Sequence, residues 1–145
     1  IHQVVNIFKR NKEVKISNLY TQLKKINEVN DPNRVKVVLD NKNNAIYFSR
    51  EKIPAKKIKN KNIYFKQGNI FCFSKEAINY FVSLKSSNLE KVESVDMNRL
   101  IENRYKVKMV KTNFNTINVD NYSDLKKAIK SMKTDRYFKI YKNKK

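Results

Sequence analysis

The stretch SNLEKVESVDMNR, residues 87–99, places three carboxylates at intervals of three: Glu90, Glu93 and Asp96. The chain around them carries 33 Lys and Arg against 13 Asp and Glu. Helical residues three apart drift by about 60° per step, so the three acids share one broad face. Such a face is either a solvated surface, with Arg99 pairing back to Asp96, or a site for sugar hydroxyls or a cation. Carboxylates accept short, strong bonds from hydroxyl groups. A second acidic point is Asp120 in NVDNYSDL, residues 118–125, where a short apolar run gives way to a helical pattern. Ligands of α/β folds gather at the carboxyl ends of strands. Asp120 is there either a helix N-cap or a ligand for Mg²⁺, an ion that takes one or two carboxylates and keeps several waters. Third is Arg50 in YFSREKIP, residues 47–54, which leaves a strand-like run just before a basic loop. It is a plain surface cation or a two-pronged grip for a carboxylate or phosphate.

Other chemistries lack their parts. His2 is the single histidine and has no Cys or Ser partner near it in sequence for nucleophilic catalysis. One glycine, Gly68, rules out a glycine-rich phosphate cradle within these residues. Cys72, inside IFCF, reads as a small apolar residue, and a lone cysteine gives neither an internal disulfide nor a thiolate zinc cluster.

Elements must position these groups, and the pattern names them. Residues 1–12 space Ile1, Val4, Val5 and Phe8 as an amphipathic helix. Residues 14–22 alternate as a strand, and Asp31-Pro32-Asn33 marks a turn. Residues 34–49 hold two β-rich runs around an Asn-rich turn at 40–44, and residues 51–62 are a basic loop. A strand follows over 63–74, then a helix capped by Ser74 with Glu76 in its first turn. A second helix is expected over 88–103, a strand over YKVKMVKT and a last helix over NYSDLKKAIKSM. Helices alternating with strands predict a layered α/β domain.

Length and composition bound the class. A chain of 145 residues with 40% hydrophobic residues and 16 Tyr and Phe supports one folded core. No window approaches the roughly 18 uninterrupted apolar residues of a membrane span, and nothing at the start resembles a signal peptide. These features lead to the expectation of a soluble, cytoplasmic chain without a membrane partner. The chain opens on Ile1, which reads as processing or as a piece of something longer. A net charge of +20 raises the competing reading of a basic module gripping nucleic acid. The excess is mostly Lys, accompanied by much Asn and Ile, and the aromatics sit in apolar runs rather than among the cations as stacking platforms. No nucleic-acid partner is therefore expected.

Four segments in order carry a more specific signal: DPNRVKVVLDNKNNAIYFSREKIP, KQGNIFCFSKEAINYF, SNLEKVESVDMNRLIENRYKVKMV and NVDNYSDLKKA. Together they resemble the carboxyl-terminal half of the 3-deoxy-manno-octulosonate (KDO) cytidylyltransferases, the CMP-KDO synthetases, over residues 1–132, with 133–145 a basic tail. The resemblance implies a nucleotidyltransferase-type, Rossmann-like three-layer α/β fold and a homodimer when full length. It implies Mg²⁺ as cofactor and a step of lipopolysaccharide synthesis in which CTP and an acidic eight-carbon sugar give CMP-sugar and pyrophosphate. It further implies Asp120 as metal ligand, Arg50 as holder of the sugar acid, and Gln67, Phe71, Asp96 and Met97 as lining of the sugar pocket. The family pattern has His, Tyr and Glu-Gln where this chain has Gln67, Phe71 and Asp96-Met97, which leaves a related substrate open, such as the 8-amino sugar or another 3-deoxy acid. The CTP cradle and a second metal carboxylate of the family lie upstream of the residues present, so these 145 residues are not expected to transfer a cytidylyl group alone.

Overall fold

The computed structural model describes residues 1–55, 63–114, 117, 119, 121–135, 137, 138 and 140. The chain divides into two compact units, Ile1–Phe114 and Asn115–Lys145.

The first unit is a mixed five-stranded sheet between helical layers. Its strands are β1 (Ile16–Gln22), β2 (Lys36–Leu39), β3 (Ala45–Ser49), β4 (Phe65–Phe73) and β5 (Lys108–Lys111), arranged β3-β2-β4-β1-β5. All neighbouring pairs are antiparallel except β1 with β5. Helix α1 (His2–Arg10) buries Val4 on one face, where the Ser17 hydroxyl donates to the Val4 carbonyl at 3.1 Å. The opposite face carries the main core. Ile16, Tyr20, Val37 and Phe48 from the strands meet Ala77 of α3 (Lys75–Ser83) and Met97 and Leu100 of α5 (Met97–Glu102). Helix, sheet and helices make the expected three-layer α/β arrangement. A short α2 (Ile26–Val29) covers a second cluster of Leu23, Val29 and Tyr64.

Local chemistry explains the joints. Ser74 caps α3 by accepting from the Ala77 amide, as its sequence position suggests. In the turn between β2 and β3, the Asp40 carboxylate accepts from the Lys42 and Asn44 amides, and Asn43 takes a left-handed φ of 58°. That turn also reaches the far side of the sheet: Ala45 N–H donates to Val107 at 2.9 Å, and Met109 N–H to Asn43 at 2.8 Å. Each edge of the sheet thereby finds a partner at this corner.

One expectation fails. The helix foreseen over 88–103 is two helices, α4 (Asn88–Glu93) and α5. Ser94 ends α4 in the left-handed region, at φ 50° and ψ 46°, and the turn drives Val95 into the core. A non-glycine residue with positive φ has no signature in hydrophobic spacing. No described helix is long and apolar enough to cross a membrane.

The second unit holds α6 (Tyr122–Met132), capped by Asn121, whose side chain accepts from the Asp124 amide. Asp124 pairs with Lys127 at 2.9 Å.

Candidate functional site

Strand β4 contains the irregularity that shapes the site. Between the pairs Asn18–Phe71 and Tyr20–Gln67, β1 supplies one residue, Leu19, while β4 supplies three, Gly68, Asn69 and Ile70. The bulge works because Gly68 lies against Leu19: a Cβ there would fall 2.8 Å from the Leu19 Cβ and 2.9 Å from its carbonyl oxygen. The carbonyls of Gly68 and Ile70, displaced from the ladder, are both satisfied by the Asn18 carboxamide, at 2.8 and 2.9 Å. Bulges of this kind re-aim side chains and recur beside functional sites. Gln67 and Phe71 bracket this one.

Across the sheet the register leads from Gln67 toward Arg50. Lys36 pairs with Ser49 on one side and Lys66 on the other, and one residue further the Gln67 amide donates to the Val35 carbonyl at 2.9 Å. Gln67 thus pairs with Val35 just before β2, and Arg50 follows directly on β3, which sets Arg50 and Gln67 about 10 Å apart at the backbone if the register continues. Among the described residues the buried Nε2 of Gln67 has no hydrogen-bond partner, as is also true of Asn18 Oδ1 and Tyr64 Oη. Phe71 is half-buried against the main core, and Met97, 2% exposed, belongs to that core, so it can form only a floor.

Arg50 is held on every side. Its Nε donates to the Glu93 carbonyl at 2.8 Å, its Nη1 to Pro32 at 3.1 Å and its Nη2 to Ser94 at 3.2 Å. Its own carbonyl accepts from the fully buried Lys36 ammonium, which also donates to the Asp31 carbonyl at 3.0 Å. Burial lowers the Lys36 pKa against the pull of Asp31, Glu51 and Glu93. A guanidinium has five N–H donors; three are engaged by carbonyls, which leaves two for another acceptor. Asp96, two residues beyond Ser94, starts α5 exposed and makes no capping bond with its side chain.

The three acids of the opening stretch therefore have three fates. Glu90 closes a capping box with Ser87 and binds Arg99 through both oxygens, at 2.8 and 2.5 Å. Hydrogen bonding from Arg99 pulls the Glu90 carboxyl down to about 2 despite burial. Glu93 turns toward β3, accepting from Tyr47 Oη at 2.7 Å, Ser49 Oγ at 2.8 Å and the Arg50 amide at 2.8 Å. Burial works against the Glu93 charge, yet these bonds and the Lys36 ammonium hold its carboxyl below the ordinary range. The same bond, with burial behind it, pushes Tyr47 up to about 12. Only Asp96 remains exposed. Behind this arrangement, the Asn98 carboxamide of α5 accepts from Phe48 N–H and donates to its carbonyl, so α5 occupies the free edge of β3 as a strand would.

Arg50 reaches the carbonyls of Glu93 and Ser94, the latter two residues before Asp96, while Phe71 packs on the core cluster that contains Met97. Asp120 lies outside the described residues. Among those described, no three His, Cys, Asp or Glu side chains gather as a metal site. Glu93, whose wiring organises Arg50, was legible in sequence only as one acid of a face.

A family model described as cytidylyltransferase matches residues 1–135. A 3-deoxy-manno-octulosonate cytidylyltransferase of Fusobacterium nucleatum is 37% identical over 134 residues, 92% of this chain and 54% of that protein. An 8-amino-3,8-dideoxy-manno-octulosonate cytidylyltransferase of Shewanella frigidimarina is 31% identical over 129 residues, 88% of this chain and 53% of that protein. Among solved structures, a CMP:2-keto-3-deoxy-manno-octonic acid synthetase complexed with CTP superposes with a TM-score of 0.82. It shares 23% identity and covers 90% of this chain and 54% of its own, a likeness of fold. The chain spans about half the length of the curated relatives it matches.

Proposed function

Because this chain belongs to the cytidylyltransferase family, we propose that it forms the sugar side of an enzyme that joins CTP to 3-deoxy-manno-octulosonate. The sugar's anomeric hydroxyl attacks the α-phosphate, and pyrophosphate leaves as CMP-sugar forms. The observation that carries the sugar assignment is the buried Gln67 Nε2, unpartnered among the described residues and one position beyond the Ser49–Lys36–Lys66 register that leads to Arg50. A buried donor without an acceptor costs free energy, and a sugar hydroxyl or carboxylate would supply that acceptor once the Gln67 side chain turns toward it. The two remaining N–H groups of Arg50 would take the sugar carboxylate, Asp96 would accept from a hydroxyl, and Phe71 with Met97 would make the apolar floor. Chemistry at the α-phosphate is then a matter of holding both substrates in line.

Mg²⁺ belongs to this reading through Asp120. A single carboxylate makes only part of a magnesium site, which fills its other positions with water and phosphate oxygens. When bound, the ion would neutralise phosphate charge. We further propose that the full-length protein is a homodimer working in the cytoplasm on lipopolysaccharide precursors.

A second reading is the 8-amino analogue, favoured by the names of several relatives and by the exposed Asp96, a carboxylate suited to an ammonium group. Calorimetric titration of the chain with each sugar tests both. Binding of 3-deoxy-manno-octulosonate that Arg50→Ala weakens by about tenfold or more supports the first. Tighter binding of the amino sugar that Asp96→Asn abolishes supports the second. Binding of neither contradicts the sugar assignment.

A further inference from the structure

We propose that Glu93 is a positioning residue: its carboxylate fixes Arg50, and through the α4–α5 break Asp96, in the arrangement that receives the sugar acid. The inference rests on the sugar-site reading above and goes beyond it, because Glu93 itself need not touch the sugar.

The geometry is specific to Arg50. One oxygen of Glu93 takes Tyr47 and Ser49, which anchors the carboxylate to β3, and the other takes the Arg50 amide. The carbonyl of the same residue takes Arg50 Nε, and the next carbonyl, Ser94, takes Nη2. Residue 93 therefore grips Arg50 from its backbone and its side chain at once. It is also the last residue of α4, so the left-handed Ser94 and the buried Val95 carry its position directly to Asp96. A plain staple between helix and edge strand needs none of this convergence; Asn98 already performs that task on Phe48.

Glu93→Gln separates positioning from stapling. A carboxamide can still accept from Tyr47 and Ser49 with its oxygen, but its NH₂ then faces the Arg50 amide, donor against donor. Glu90→Gln is the control on the same helix: it weakens a two-oxygen pair with Arg99 and touches nothing at Arg50. The purified 145-residue chain and both variants would be titrated with 3-deoxy-manno-octulosonate by calorimetry. Their thermal midpoints and the ¹H–¹⁵N signal of Arg50 Nε would be recorded alongside. The expected result is that Glu93→Gln weakens sugar binding by about tenfold or more and moves the Arg50 Nε signal. Glu90→Gln is expected to lower the midpoint at least as much and to bind like the parent chain. Should Glu93→Gln not fold, Glu93→Asp, which withdraws the carboxylate by one carbon, is read in the same way. Parent-like binding by the Glu93 variant, or an equal loss of affinity in Glu90→Gln, overturns the proposal alone. No binding by the parent chain overturns the sugar-site reading, and the proposal with it.

Discussion

At position 67 a carboxamide nitrogen is buried beside a bulge with no acceptor among the described residues, while its backbone amide pairs normally with Val35. Folding by itself gives no reason to keep that donor, since an unpaired buried polar group costs about 1–3 kcal/mol. Gln67→Leu should therefore leave the denaturation midpoint unchanged or raise stability by up to about 1–2 kcal/mol. The same change should weaken sugar binding by about tenfold, as expected for one lost polar contact at a selective site. Parallel denaturant melts and sugar titrations read the two effects. A variant that is both less stable and equally competent to bind would assign Gln67 a packing role instead. The contrast with Arg50 is instructive. Arg50 reads in sequence as a cation leaving a strand, and the structure shows three of its donors already engaged by carbonyls of Pro32, Glu93 and Ser94. Residue type and spacing revealed the cation; they could not reveal that residues 18, 43 and 44 positions away had claimed most of it.

Among the elements, strands and long helices were legible and the break between α4 and α5 was not. Alternation marked β1, β-rich runs marked β2 and β3, Ser74 announced α3, and the Asn-rich run announced the turn after β2, because each rests on local chemistry. The break rests instead on a long-range preference: Val95 and Met97 reach the core only if Ser94 reverses the helix. That reversal separated the acids whose even spacing suggested one face, and it sent Glu90 to Arg99. The Glu90–Arg99 pair anchors α4 and carries a pH signature. Glu90 falls from an ordinary 4.5 to about 2 in the folded chain, so its contribution to stability is fully present above about pH 4.5 and disappears as pH falls through 2. Glu90→Gln has no such carboxyl to titrate. Acid-unfolding curves should show the parent chain losing its advantage over Glu90→Gln between pH 4.5 and 2. An advantage that stays constant across that window would mean the pair contributes nothing.

At the scale of the whole molecule, one feature of composition and one of coverage matter most. The net charge of +20 coexists with carboxylates that are individually wired to cations and hydroxyls, as at Glu90 and Glu93. The chain spans about half the length of its curated relatives. On the proposed division of labour, this chain supplies the sugar side. The 145 residues incubated with CTP, Mg²⁺ and 3-deoxy-manno-octulosonate should release no pyrophosphate above background. Steady formation of CMP-sugar by this chain would show that the division is misdrawn.

The central claim is that Arg50, Gln67, Phe71, Asp96 and Met97 surround one bound sugar acid. It is tested most directly by ¹H–¹⁵N and methyl spectra of the 145-residue chain during titration with 3-deoxy-manno-octulosonate. The account expects saturable shifts concentrated at Arg50, Gln67, Phe71, Asp96 and Met97, with α1 on the opposite face of the sheet unmoved. Shifts absent altogether, or centred on α1 and the surface lysines, would contradict it.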